Sequence, residues 1–148
     1  MKTAIVYCST HHGNTKKLVD AIAARYDVTC IDAAQTQAFD LTDYDLIGFA
    51  SGIYFSKFHK SVLQFAQQNL PARKRVFFLY TCGAEKDSYT KAIEALARQK
   101  DARIAGSFGC LGYDTYGPFR LVGGIAKGHP DAADLDAAVR FYGGLAGC

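Results

Sequence analysis

Tryptophan is absent from this chain of 148 residues, methionine occurs once and proline three times. No apolar run approaches the length that spans a bilayer, which argues against membrane insertion. The five cysteines (8, 30, 82, 110 and 148) form no C-x-x-C pair and are odd in number. A disulfide framework is therefore not expected, and free thiols place the protein in a reducing cytoplasm. No run of five lysines or arginines occurs and the net charge is only +3, so nucleic acid is not an expected partner. The opening MKTAIVYCST lacks a cleavage signature, and its short apolar stretch reads as a strand rather than an export signal. Internal repeats, low-complexity tracts and linkers are also missing.

What remains is ordinary globular composition, 49 % hydrophobic and 21 % charged, at a length that suits one domain over residues 1–148. Thr3–Cys8, Asp27–Ile31, Tyr44–Ala50, Arg75–Thr81 and Arg103–Cys110 are rich in β-branched and aromatic side chains. The first, third and fourth of these are nearly continuous in apolar residues, as strands covered on both faces should be. Between them lie helical periods. Leu18, Ile22 and Tyr26 form one stripe; Phe58, Val62, Phe65, Ala66 and Leu70 form a second. Tyr89, Ile93 and Leu96 form a third, and Leu135, Val139, Tyr142 and Leu145 a fourth. The alternation predicts an α/β fold, a doubly wound five-stranded parallel sheet between two helical layers. Asp32–Asp43 carries the weakest helical pattern and reads mostly as loop. Cys8, Cys30 and Cys110 fall on strands and are expected in the core.

Ligands of such sheets bind beyond the carboxyl ends of the strands, where strand order reverses. The segments to read are therefore 9–15, 51–60, 82–88 and 111–130. The first is Ser9-Thr10-His11-His12-Gly13-Asn14-Thr15, leading from a strand into a helix. Backbone N–H groups and the helix dipole face an anion there, hydroxyls add donors, and Gly13 lets the backbone curl closely. Capping the helix needs only one such residue. An anion site explains the whole set better.

Neither G-x-x-x-x-G-K-[ST] nor G-x-G-x-x-G is present, which excludes the nucleoside-triphosphate and dinucleotide loops. A low-molecular-weight tyrosine phosphatase with Cys8 as nucleophile needs an arginine where Asn14 stands. A receiver domain needs a carboxylate where Ala50-Ser51 stands. Both fail.

The loop resembles the phosphate loop of the flavodoxin family, roughly [ST]-x-T-G-x-T. It ends in Gly13-Asn14-Thr15 as that pattern requires, with one residue inserted and two histidines before the glycine. The resemblance covers the element order of the whole chain. It implies strand order 2-1-3-4-5, bound FMN, and electron transfer with redox partner proteins.

It also implies flavin contacts from two further loops. Ser51-Gly52-Ile53-Tyr54 follows the third strand; Gly52 permits a peptide flip toward the flavin, and Tyr54 is a candidate to stack on the ring. Alternatively, Tyr54 and Phe55 begin the stripe of the next helix. Thr81-Cys82-Gly83 follows the fourth strand and offers backbone N–H groups to the ring, the Cys82 thiol itself reading as inert packing. The long 112–130 segment, with Tyr113, Tyr116 and Phe119, reads equally as a flap over the ring or as a structural arm; Tyr116 is counted among the cofactor contacts.

Lys57, Lys60, Lys86, Arg120 and Lys127 stand in these loops against Glu85, Asp87 and Asp114. A neutral-to-basic rim should ease full reduction of a flavin. All four histidines fall in the same loops without an accompanying acidic ligand set, and no metal is expected. Ser51–Tyr54 with Phe58-His59 also looks somewhat like flavodoxin-fold protoporphyrinogen oxidases. That likeness implies the alternative of an FMN-dependent oxidoreductase acting directly on a quinone or porphyrinogen, with His59 or Tyr54 near the reactive edge.

Overall fold

A computed structural model describes residues 1–9, 13–83, 88–112 and 128–147. Strands and helices alternate as β1 (Thr3–Cys8), α1 (Asn14–Ala23), β2 (Thr29–Asp32), β3 (Leu46–Tyr54), β4 (Lys57–Phe58), α2 (Lys60–Asn69), β5 (Arg75–Cys82), α3 (Lys91–Gln99), β6 (Arg103–Leu111) and α4 (Ala132–Leu145). The sheet runs β2-β1-β3-β5-β6, every neighbouring pair parallel. With the two-residue β4 set aside, this is the 2-1-3-4-5 order expected. The addition is β4 itself, which folds back antiparallel on the end of β3. Between β2 and β3 the chain makes turns rather than a helix.

Successive residues of each inner strand serve opposite layers, which is why their sequences are apolar throughout. Ala4, Val6 and Cys8 face one way and pack with Phe49, Val62, Phe65, Phe78 and Ile93, under α2 and α3. Ile5 faces the other way and packs with Val19, Ile22, Leu46, Phe77, Val139 and Tyr142, under α1 and α4. Gly48 is needed at the centre of β3. A Cβ there would lie 2.3 Å from Cζ of Phe77, whose ring fills the space. Tyr142 of α4 donates a buried 2.8 Å hydrogen bond to the Thr3 hydroxyl and so ties the last helix to the first strand.

One expectation about the core is corrected. Cys8 and Cys110 are buried, but Cys30 is exposed. It lies on β2, the edge of the sheet, where one row of side chains meets solvent.

Candidate functional site

The reversal of strand order falls between β1 and β3, whose carboxyl ends lie side by side with Cys8 opposite Ser51. Beside them Gly52 pairs with Thr81, and Thr81 with Cys110. The loops leaving β1, β3 and β5 therefore open at one end of the molecule.

The first loop delivers α1. Gly13 is its N-cap residue, in the left-handed region at φ 65°, where glycine carries no steric penalty. Gly13 has no side chain with which to cap the helix, and the first turn holds no acidic residue. Nothing lies within 4 Å of the position a Gly13 Cβ would take. A left-handed residue followed by helical ones turns successive N–H groups into one concavity, and the helix dipole adds positive potential. The cradle therefore fits a phosphate. Ser9 borders it, its hydroxyl accepting the Lys16 N–H at 3.1 Å.

Asn14 and Thr15 are buried. The Thr15 hydroxyl shares a 2.9 Å hydrogen bond with that of Thr81 and so binds the first loop to the β5 loop. The Asn14 side chain packs against Gly112; a Cβ on that glycine would meet its Nδ2 at 2.7 Å. Thr10, His11, His12 and Tyr116, together with Tyr113 and Phe119, lie outside the described residues.

In the second loop, Ser51 is wholly buried. Its hydroxyl donates to the Gly52 carbonyl at 2.5 Å and accepts the His59 N–H at 2.9 Å, which locks both arms of the β3–β4 hairpin together. Ile53 pairs with Phe58 and Tyr54 with Lys57. Tyr54 thus belongs to a strand, not to the following helix. Its half-buried ring lies over Gly52 and meets the His59 ring edge-on at 5.1 Å.

His59 caps α2, its Nδ1 accepting the Ser61 N–H at 3.1 Å and lying 2.8 Å from the Ser61 hydroxyl. Burial and the neighbouring Lys60 hold its pKa below the ordinary histidine value. The ring is neutral at pH 7, with its proton on Nε2. Ser61 is the member of this cluster that sequence reading passed over. Its place two residues beyond a histidine, at a helix start, was the available signal.

The Cys8 and Cys30 thiols are not activated, desolvation raising the pKa of each. Burial pushes the Cys8 pKa up, against a hydrogen bond from Ser61. The buried Cys82 thiol lies 3.6 Å from the Cys110 carbonyl and donates to it. Gly83 follows at the mouth of the β5 loop, half-buried. Elsewhere His129, Asp131 and Asp134 gather their ligand-type atoms within 4.8 Å. A capping box at the start of α4 accounts for the two aspartates, each accepting the other's backbone N–H, and His129 Nδ1 lies 2.7 Å from the Asp134 carboxylate.

Comparison with known proteins agrees with this architecture. Residues 4–121 match the family model for the flavodoxin domain. A protein of Methanocaldococcus jannaschii described as uncharacterized is 38 % identical over 143 residues, 95 % of each chain. Among solved structures, a flavodoxin from the domain Archaea superposes with a TM-score of 0.71 at 17 % identity, covering 98 % of this chain and 96 % of its own. A Lactobacillus acidophilus flavoprotein in complex with FMN superposes with a TM-score of 0.55 at 19 % identity, covering 73 % and 92 %. With its family model, its sheet order and its helix-borne anion cradle in agreement, the chain belongs to the flavodoxin family.

Proposed function

We propose that this protein binds FMN and works as an electron carrier between redox partner proteins. The observation that carries the reading is the convergence of three loops at the β1/β3 switch point, one of them the Gly13 cradle. Gly13, the first amides of α1 and the Ser9 hydroxyl would hold the phosphate, with Thr10, His11 and His12 alongside. Ser51–Tyr54 and Thr81–Gly83 would flank the ring, and Tyr116 would approach it from the long loop. When bound, FMN supplies the one- and two-electron chemistry.

The chain's own residues bind, orient and exclude water. Ser51 holds the Gly52 carbonyl, Tyr54 covers the backbone of Gly52, and the Thr15–Thr81 bond fixes the spacing of two loops. An odd number of cysteines with no C-x-x-C pair favours a reducing compartment and supports a place in the cytoplasm.

The visible absorption spectrum of the purified protein, with FMN added in excess, tests the reading. A two-banded flavin spectrum that persists through gel filtration is the expected result. A colourless protein overturns it.

A second reading, an FMN-dependent oxidoreductase acting on a quinone or porphyrinogen, draws on the neutral His59 held against Tyr54. Such an enzyme turns over repeatedly on the small molecule with no partner protein present; a carrier does not.

A further inference from the structure

The two residues joining β3 to β4, Phe55 and Ser56, both have positive φ, 51° and 64°. Two-residue hairpin turns of this hand favour Asn-Gly, because an L side chain is strained there. A phenylalanine in this position is an outlier, and strain of this kind tends to be retained at binding sites. The turn also holds the ring out in solvent. Phe55 is 80 % exposed, and the only other exposed large hydrophobic residue among those described is Met1.

The charged residues of the hairpin itself have one sign. Lys57 and Lys60 flank the turn and are exposed, and from Leu46 to Ala84 the chain carries no aspartate or glutamate. The hairpin leaves the same carboxyl edge that carries the cradle, and it directly continues Ser51–Tyr54. An exposed aromatic flanked by two like charges is the pattern of an interface anchor with electrostatic steering.

We infer that the Phe55–Lys60 hairpin is the docking knob for an acidic redox protein, one that offers an apolar hollow bordered by carboxylates. Phe55 fills the hollow, and Lys57 and Lys60 steer the encounter. The inference deepens the electron-carrier reading and rests on it.

The test uses the FMN-loaded full chain, reduced and mixed by stopped flow with two protein acceptors, each taking one electron. One is an acidic plastocyanin, Cu(II) to Cu(I); the other is a basic cytochrome c, Fe(III) to Fe(II). Transfer to plastocyanin should fall about tenfold as salt rises from about 10 to about 300 mM, while transfer to cytochrome c should not fall. The double variant K57E/K60E should reverse the preference. The ratio of the two rates is the readout, because any change in flavin potential acts on both acceptors alike. Phe55→Ser should slow plastocyanin even at high salt and leave reduction of ferricyanide unchanged.

Equal salt dependence for both acceptors, or a ratio unmoved by K57E/K60E, overturns the inference. Amide shifts across residues 55–60 on adding plastocyanin to the flavin-free chain give a separate readout. They are expected even if the protein takes no FMN, so failure of the carrier reading and failure of the docking surface are distinguishable.

Discussion

Thr15 and Thr81 share a buried hydrogen bond of 2.9 Å although 66 residues separate them. One begins α1 and the other nears the end of β5, so the bond sets the distance between the anion cradle and the β5 loop.

Replacing either threonine with valine leaves the other hydroxyl buried without this partner, at a cost of about 1–3 kcal/mol. The double variant T15V/T81V should lose less than the sum of the two single losses, since both hydroxyls then go together. Urea denaturation of the four proteins measures the difference, and FMN titration should show weaker binding in each single variant.

Gly48→Ala should be severely damaging. Its methyl would sit inside the Phe77 ring at 2.3 Å, in a layer with no room to yield. Overpacking of this severity should destabilise by about 3 kcal/mol or abolish folding, and thermal unfolding should report it.

The two described histidines push the pH profile in opposite directions. His59 has a lowered pKa, chiefly from burial. The unfolded chain takes up the proton first, so His59 removes stability as pH falls from about 6.5 toward its folded pKa. His129 has a raised pKa, chiefly from its hydrogen bond with Asp134. Its contribution is complete below about 6.5 and is lost as pH rises through the folded value. His59→Asn, which keeps a cap acceptor, should make the protein more acid-tolerant. His129→Gln should flatten the slope above about pH 6.5. Denaturation midpoints from pH about 5 to about 8 check both signs.

Lys57 and Lys60 should raise the potential at which bound flavin is fully reduced, because positive charge offsets the negative charge gained. Potentiometric titration of K57Q/K60Q should return a lower potential at low salt and a smaller difference at high salt. Equal potentials would remove any role for these side chains in tuning.

Much of this was legible in the chain because its signals are local. β1 runs over the whole apolar segment Thr3–Cys8, and the four periodic stripes mark the four described helices. The glycine before Asn14-Thr15 does open α1. Three features escaped for physical reasons. β3 continues past Ala50 through Ser51 and Gly52, which look like loop residues, because the sheet supplies partners the sequence cannot display. The hairpin has Phe-Ser where turn chemistry asks for Asn-Gly, so nothing announced it. Cys30 sits in an apolar-looking run, yet exposure depends on which strand ends up at the edge.

The tie between Tyr142 and Thr3 has a consequence for how the protein is born. β1 and α1 are made before α4, and the face of α1 that bears Val19 and Ile22 packs against both the sheet and α4. Before α4 is made that face is only partly covered, the kind of surface a chaperone recognises. The Gly13 cradle rides on the same helix. A flavin held at that cradle would accordingly bind most firmly once α4 is in place.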